Sequence, residues 1–116
     1  MTFVNFSNHI TENWSSEQVE EAEKYGEIVY VPFPNVSPLC DEDEVSKLAN
    51  EYVKRILETN PRAVMCQGEF TLCFKVVNLL KQKGIKVFAG CSERKVVEEA
   101  NGKKTAQFVF ERFREY

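Results

Sequence analysis

The sequence has one histidine, His9, and four cysteines, Cys40, Cys66, Cys73 and Cys91, with no CxxC pair among them. With only His9 to join the thiols, no metal site is expected. No regular disulfide framework is spaced out either, so reduced thiols in a cytoplasmic protein are the expectation. No apolar run approaches the ~20 residues of a membrane span, and the first residues lack the basic-then-apolar order of a signal peptide. There is no GxGxxG and no Walker motif, so no dinucleotide or ATP cofactor is expected. Positive charge is not in excess. The net charge is -3, and an extended surface for duplex nucleic acid would need clustered Lys and Arg. A local basic pocket remains open. Internal repeats and low-complexity segments are also missing.

What is present is an ordinary globular composition, with 43% hydrophobic and 28% charged residues over 116 positions. This points to a single domain over 1–116 with a real core. Residues 2–6 (TFVNF) read as a first strand, followed by the polar loop SNHITENW. Ser15 and Gln18 form a capping-box pattern that opens a helix, Trp14 and Val19 are placed as a hydrophobic staple, and Gly26 is its stop. Residues 27–33 (EIVYVPF) read as a second strand ended by Pro32 and Pro34. Asp41 and Glu44 repeat the cap pattern. Val45, Leu48, Ala49, Tyr52, Val53, Ile56 and Leu57 then mark a helix face to about residue 59, and Asn60-Pro61 ends it.

Residues 63–66 are a short buried strand. Leu72, Cys73, Val76, Val77 and Leu80 set a third helix over about 70–83, with Gly84 as its stop. Residues 85–89 (IKVFA) read as a fourth strand, and 91–95 (CSERK) as a loop or short turn. Asn101-Gly102 between 95–100 and 105–116 signals a hairpin. Around FERFREY the alternation slips, which predicts a bulge or strand end. Arg112 and Arg114 are expected to share a strand face with Phe110.

Strand and helix alternate three times before the fourth strand. That order predicts parallel strands, right-handed crossovers and helices on both faces. The expected fold is α/β: a small Rossmann-like three-layer sandwich, strand order 2-1-3-4, with a C-terminal antiparallel β-hairpin extending the sheet.

In such sheets a ligand binds at the carboxyl ends of the strands where the order reverses. Three polar groups fall there: Asn5, Ser7, Asn8 and His9; Gln67, Gly68, Glu69 and Thr71; Cys91, Ser92, Glu93 and Arg94. Gly68 would let backbone approach a ligand, and the amides opening the third helix are a candidate anion site. A tight turn with Glu69 as a favourable helix-end charge explains the same residues, and Glu69 would repel an anion there. Gln67 suits a base or ribose. His9 is of the side-chain type suited to proton transfer, or a plain surface residue. Ser92 is a hydroxyl donor or a turn residue. Arg94 and Lys95 are candidates for phosphate neutralisation, or a solvated loop. Cys91 has no adjacent histidine to activate it.

The segments NFSNH, QGEFTL, CSER and FREY resemble a family of small Rossmann-like proteins associated with type III CRISPR systems. That family is related to domains that sense cyclic oligoadenylates, and some members are ring nucleases that cut cyclic tetra-adenylate. The resemblance implies a homodimer around a ring-shaped ligand, with metal-independent attack of a ribose 2′-hydroxyl on the neighbouring phosphate. It would give Ser7, Asn8 and His9 roles in orienting ribose or moving a proton. Gln67 and the Gly68 backbone would hold base or phosphate; Glu69, Thr71 and Lys95 are counted with the ligand-binding residues from their place at the strand ends, not from the resemblance. Ser92 and Arg94 would stabilise the phosphate.

Three other readings share these residues. One is a module that binds or sequesters a cyclic nucleotide without cutting it. Another is a small nucleotide hydrolase or transferase using Glu69 or Glu93 as acid or base, for which a raised carboxyl pKa would be the mark. The last is an interaction protein that assembles through the strand FVFERFREY.

Overall fold

The computed structural model describes residues 1–116. Chain order is β1 (Thr2–Ser7), a short 3-10 turn (Thr11–Asn13), α1 (Ser16–Glu23), β2 (Glu27–Pro32), α2 (Glu42–Glu58), β3 (Pro61–Cys66), α3 (Phe70–Gln82), β4 (Lys86–Glu98) and β5 (Lys104–Glu115). One five-stranded sheet runs in the order β2-β1-β3-β4-β5. β1 pairs in parallel with β2 and β3, β3 with β4, and β4 pairs antiparallel with β5. The fold is the expected α/β sandwich. No helix is long and apolar enough to cross a membrane.

The helix ends follow from local hydrogen-bond rules. Ser15 Oγ accepts from the Gln18 amide at 3.2 Å, and Asp41 Oδ1 accepts from the Glu44 amide at 2.9 Å. Each satisfies a donor that the first helical turn leaves orphaned. Asn60 adopts φ 55 between α2 and β3, and Gly84 adopts φ 77 where α3 stops.

Strand alternation builds two cores. Val4, Phe6, Val64 and Cys66 face α2 and α3, meeting Val53, Ile56, Leu72 and Val76. Phe3, Ala63, Met65 and Phe88 face α1 and its Ala22, with Trp14, Tyr25 and Phe113 packed around them.

β4 departs from expectation. Residues 91–95 are not a loop, because the strand continues unbroken to Glu98, hydrogen-bonded to β5. β3 reaches only to Phe88, so beyond it β4 and β5 form a two-stranded ribbon. Both faces of that ribbon are solvated. Its sequence therefore carries no apolar alternation, and polar residues there imitate a loop. The predicted bulge is present: Cys91 pairs with Arg112 and Ser92 with Phe110, leaving Glu111 as the extra residue. That extra residue sets Phe113 beside Phe110, with ring centroids 5.0 Å apart. Arg112 and Arg114 pair instead with Cys91 and Ala89 and do not share the Phe110 face.

Two polar side chains, Asn5 and Ser7, are fully buried in β1. Asn5 Nδ2 donates to the His9 carbonyl at 2.9 Å and to Thr11 Oγ1 at 3.1 Å. Ser7 Oγ donates to Asn5 Oδ1 at 2.6 Å and accepts from the His9 amide at 3.1 Å. An unpaired buried polar group costs about 1–3 kcal/mol. We expect Asn5→Ala, which strands several of these partners, to lower unfolding free energy by about that amount and to expose residues 8–11 to proteolysis. An unchanged urea midpoint would show that the network is dispensable.

Candidate functional site

A cleft of about 510 Å³ opens where β1, β3 and β4 end. His9 comes from the loop after β1, Gln67 follows β3, and Gly90 and Ser92 come from β4. Asn13, Trp14 and Gln18 close it from the α1 side, Met65 forms its floor, and Phe108 enters from β5. This is the position at which ligands bind in open α/β sheets generally.

Gln67 is fixed in orientation. Its Oε1 accepts from the Gly90 amide at 2.8 Å, which an amide nitrogen could not do, so its Nε2 is left as a donor. A Cβ at Gly90 would lie 3.0 Å from that Oε1, so any larger residue would push Gln67 from this position by a few tenths of an ångström. Trp14 is held by Phe3 and Phe113, at centroid distances of 6.3 and 6.2 Å. Phe108 is 73% exposed, an aromatic face offered to solvent.

The structure brings together His9, Gln67 and Ser92 of the residues expected at the site. Ser7 lies beneath the cleft, and its hydroxyl is committed to Asn5 and His9. It positions the loop and offers a ligand nothing. Asn8 is exposed and outside the lining. Arg94 pairs with Phe108, and strand alternation puts it on the Ser92 face, exposed and beyond the lining. Lys95 is on the opposite face, 3.9 Å from Glu93.

Gly68, Glu69 and Thr71 do not line the cleft. A Cβ on Gly68 would meet the Phe33 ring at 2.6 Å, so glycine is there for core packing and not for ligand approach. Glu69 is the cap of α3. Its carboxylate accepts from the Thr71 amide at 3.0 Å, the Leu72 amide at 2.9 Å and the Thr71 hydroxyl at 2.7 Å. The amides considered for an anion are thus already satisfied by a carboxylate. The bond from the Leu72 amide, then those from Thr71, hold the Glu69 carboxyl below its ordinary range. A general acid would need the opposite shift.

Asn13, Trp14, Gln18 and Phe108 were not anticipated as site residues. Trp14 carried a signal as a helix staple, but its observed partners are aromatic rings of the sheet. Phe108 carried none, because its place depends on how far β4 extends. A larger trench of about 680 Å³ between α1 and β5 holds Glu17, Glu20, Glu21, Glu111 and Glu115 against Lys86 and Arg112. Five carboxylates make it hostile to phosphate. No group of three His, Cys, Asp or Glu side chains converges as a metal-ligand set.

A family model described as the uncharacterized protein MJ1673 family matches residues 1–114. The chain belongs to that family. No curated protein matches it. The family description assigns no activity.

The Glu69 cap has a testable signature. Because its carboxyl is held below the ordinary value of 4.5, the cap stabilises fully above that value and is lost as pH falls through the lowered one. Glu69→Ala is expected to cost about 1 kcal/mol at pH 7. The gap between wild type and variant should close on acidification. A gap that is constant with pH would mean the carboxylate does not cap in solution.

Proposed function

We propose that the protein binds a cyclic oligoadenylate in the cleft at the strand ends and cuts it, as a CRISPR-associated ring nuclease acting on cyclic tetra-adenylate. The observation that carries this reading is the meeting of His9, Gln67 and Ser92 in one cleft that Trp14 and Phe108 also line. Donors beside flat apolar walls suit a base and its ribose. A cleft of about 510 Å³ is too small for four nucleotides, so a homodimer with half of the ring in each copy is part of the reading. The resemblance of NFSNH, QGEFTL, CSER and FREY supplies the ring and the chemistry.

In the proposed reaction a ribose 2′-hydroxyl attacks the adjacent phosphorus in line and the 5′-oxygen leaves, giving a 2′,3′-cyclic phosphate end. His9 moves a proton. Gln67 Nε2 orients base or ribose. Ser92 donates to the phosphate, and Arg94, on the same strand face, swings in to neutralise charge.

A second reading is binding without cleavage. It is favoured by one observation: no Lys or Arg lines the cleft, and transition-state charge would rest on Arg94 alone.

Purified protein incubated with cyclic tetra-adenylate or hexa-adenylate in EDTA, followed by liquid chromatography and mass spectrometry, tests both. Linear products with 2′,3′-cyclic phosphate ends are expected. His9→Ala should lower turnover by about 10²–10⁴-fold if it is the proton-transfer group. Gln67→Ala should weaken binding more than turnover. Intact rings that co-elute with the protein would establish the sequestering reading. Neither cleavage nor co-elution would overturn both.

A further inference from the structure

Cys66 is the last residue of β3, Cys73 lies in the opening turns of α3, and the residues between them form the Gln67–Gly68–Glu69 junction. Both thiols belong to the core, 0% and 8% exposed, and their sulfurs lie 3.5 Å apart. A disulfide needs about 2.05 Å between sulfurs, so about 1.5 Å of approach closes it, within the reach of side-chain torsions. Cys40 and Cys91 have no such partner.

The surroundings distinguish the two thiols. Tyr116 Oη donates to the Cys66 carbonyl at 2.7 Å and lies 3.8 Å from Cys73 Sγ. Tyr116 is itself pinned by its amide to the Val87 carbonyl at 3.0 Å and by Lys81 Nζ to its backbone oxygen at 2.7 Å. Cys73 also borders an apolar cavity of about 440 Å³, with Phe70, Phe74, Val77 and Tyr116. A small neutral oxidant has a path to Cys73, while Cys66 lies behind it. Hydrogen bonds from Cys66 and the Gly68 amide favour the Cys73 thiolate against its partial burial, whereas hydrogen bonding to Cys73 and burial push the Cys66 thiol up. Exposure and charge assign the attacking role to the same sulfur.

We propose that Cys66 and Cys73 are a peroxide-responsive dithiol whose oxidation ties the end of β3 to the start of α3. The Cys73 thiolate attacks one oxygen of hydrogen peroxide. The O–O bond breaks, Cys73 becomes a sulfenic acid, and hydroxide leaves and takes up a proton. Cys66 then attacks the Cys73 sulfur, hydroxide departs with the Cys66 proton as water, and the disulfide forms. Two electrons pass from the thiols to the peroxide, and two waters are released. The closed ring contains Gln67, so the redox state of the pair is set beside the cleft. The chemistry does not depend on any nucleotide.

The test uses the full chain under native conditions. Arg62 and Lys75 bracket both cysteines, so trypsin delivers them on one peptide, Ala63–Lys75. After hydrogen peroxide and alkylation, that peptide should lose both alkyl groups and be lighter by two hydrogens, with dithiothreitol restoring it. Cys40 and Cys91 should still be alkylated at the same peroxide dose. Cys66→Ser should stop at a sulfenic or sulfinic Cys73, and Cys73→Ser should leave Cys66 reduced. If either variant fails to fold, the wild-type peptide decides alone. Full alkylation of Ala63–Lys75 while Cys40 or Cys91 oxidises would overturn the proposal. So would a disulfide found only between two chains.

Discussion

The buried pair Asn5 and Ser7 is the constraint on which the rest of the molecule turns. β1 is central in the sheet, with α2 and α3 packed over one face and α1 with the Trp14 turn over the other, so its side chains have no water to fall back on. Two polar groups there must find partners inside the protein or cost stability. They find them in the backbone of His9 and the hydroxyl of Thr11. The loop after β1 is therefore folded back against the sheet. That delivers His9 to the strand ends and starts the turn that carries Trp14 into the aromatic cluster. A pair of apolar residues at 5 and 7 would pack as well in the strand, but would leave the loop with no instruction.

The β3–α3 junction shows how the same residues serve structure on one side and a site on the other. Glu69 spends its charge on the first turn of α3, and Gly68 gives its missing Cβ to Phe33. Gln67, one residue earlier, points the other way and bonds to β4. A phosphate has no reason to settle at this helix end, because a carboxylate already holds the amides. The cleft itself is lined by hydrogen-bonding groups and aromatic side chains. Charge enters only from Arg94, outside the lining.

How much of this was legible depended on how local each rule is. The Ser15–Gln18 and Asp41–Glu44 caps are three-residue hydrogen bonds, and sequence states them outright. The parallel order follows from alternation of strand and helix, and with it the meeting of His9, Gln67 and Ser92. The extent of β4 was not legible. A ribbon solvated on both faces needs no apolar period, so CSERK gave no sign of being a strand. Once it is a strand, period two separates Arg94 from Lys95 and aligns Phe108 with Arg94. Asn5 and Ser7 sit in a stretch with no charge to signal a polar core. Their burial follows only from the central place of β1 and from the loop and helix packed over its face.

The ribbon is also the least supported wall of the cleft. Past Phe88 its only hydrogen-bonded neighbour within the sheet is its own partner strand, and a lone two-stranded ribbon is marginal in water. Ser92 and Phe108 belong to that part. The bulge at Glu111 and the edge-on contact of Phe110 with Phe113 couple it back to the core, because Phe113 packs against both Phe3 and Phe88. The aromatic cluster therefore does two jobs at once: it fills the α1 side of the sheet, and it holds the base of the ribbon. The rigid half of the cleft is the half built on β1 and β3. The half built on β4 and β5 is tied to the rest of the sheet only at its base, and it carries the exposed Phe108.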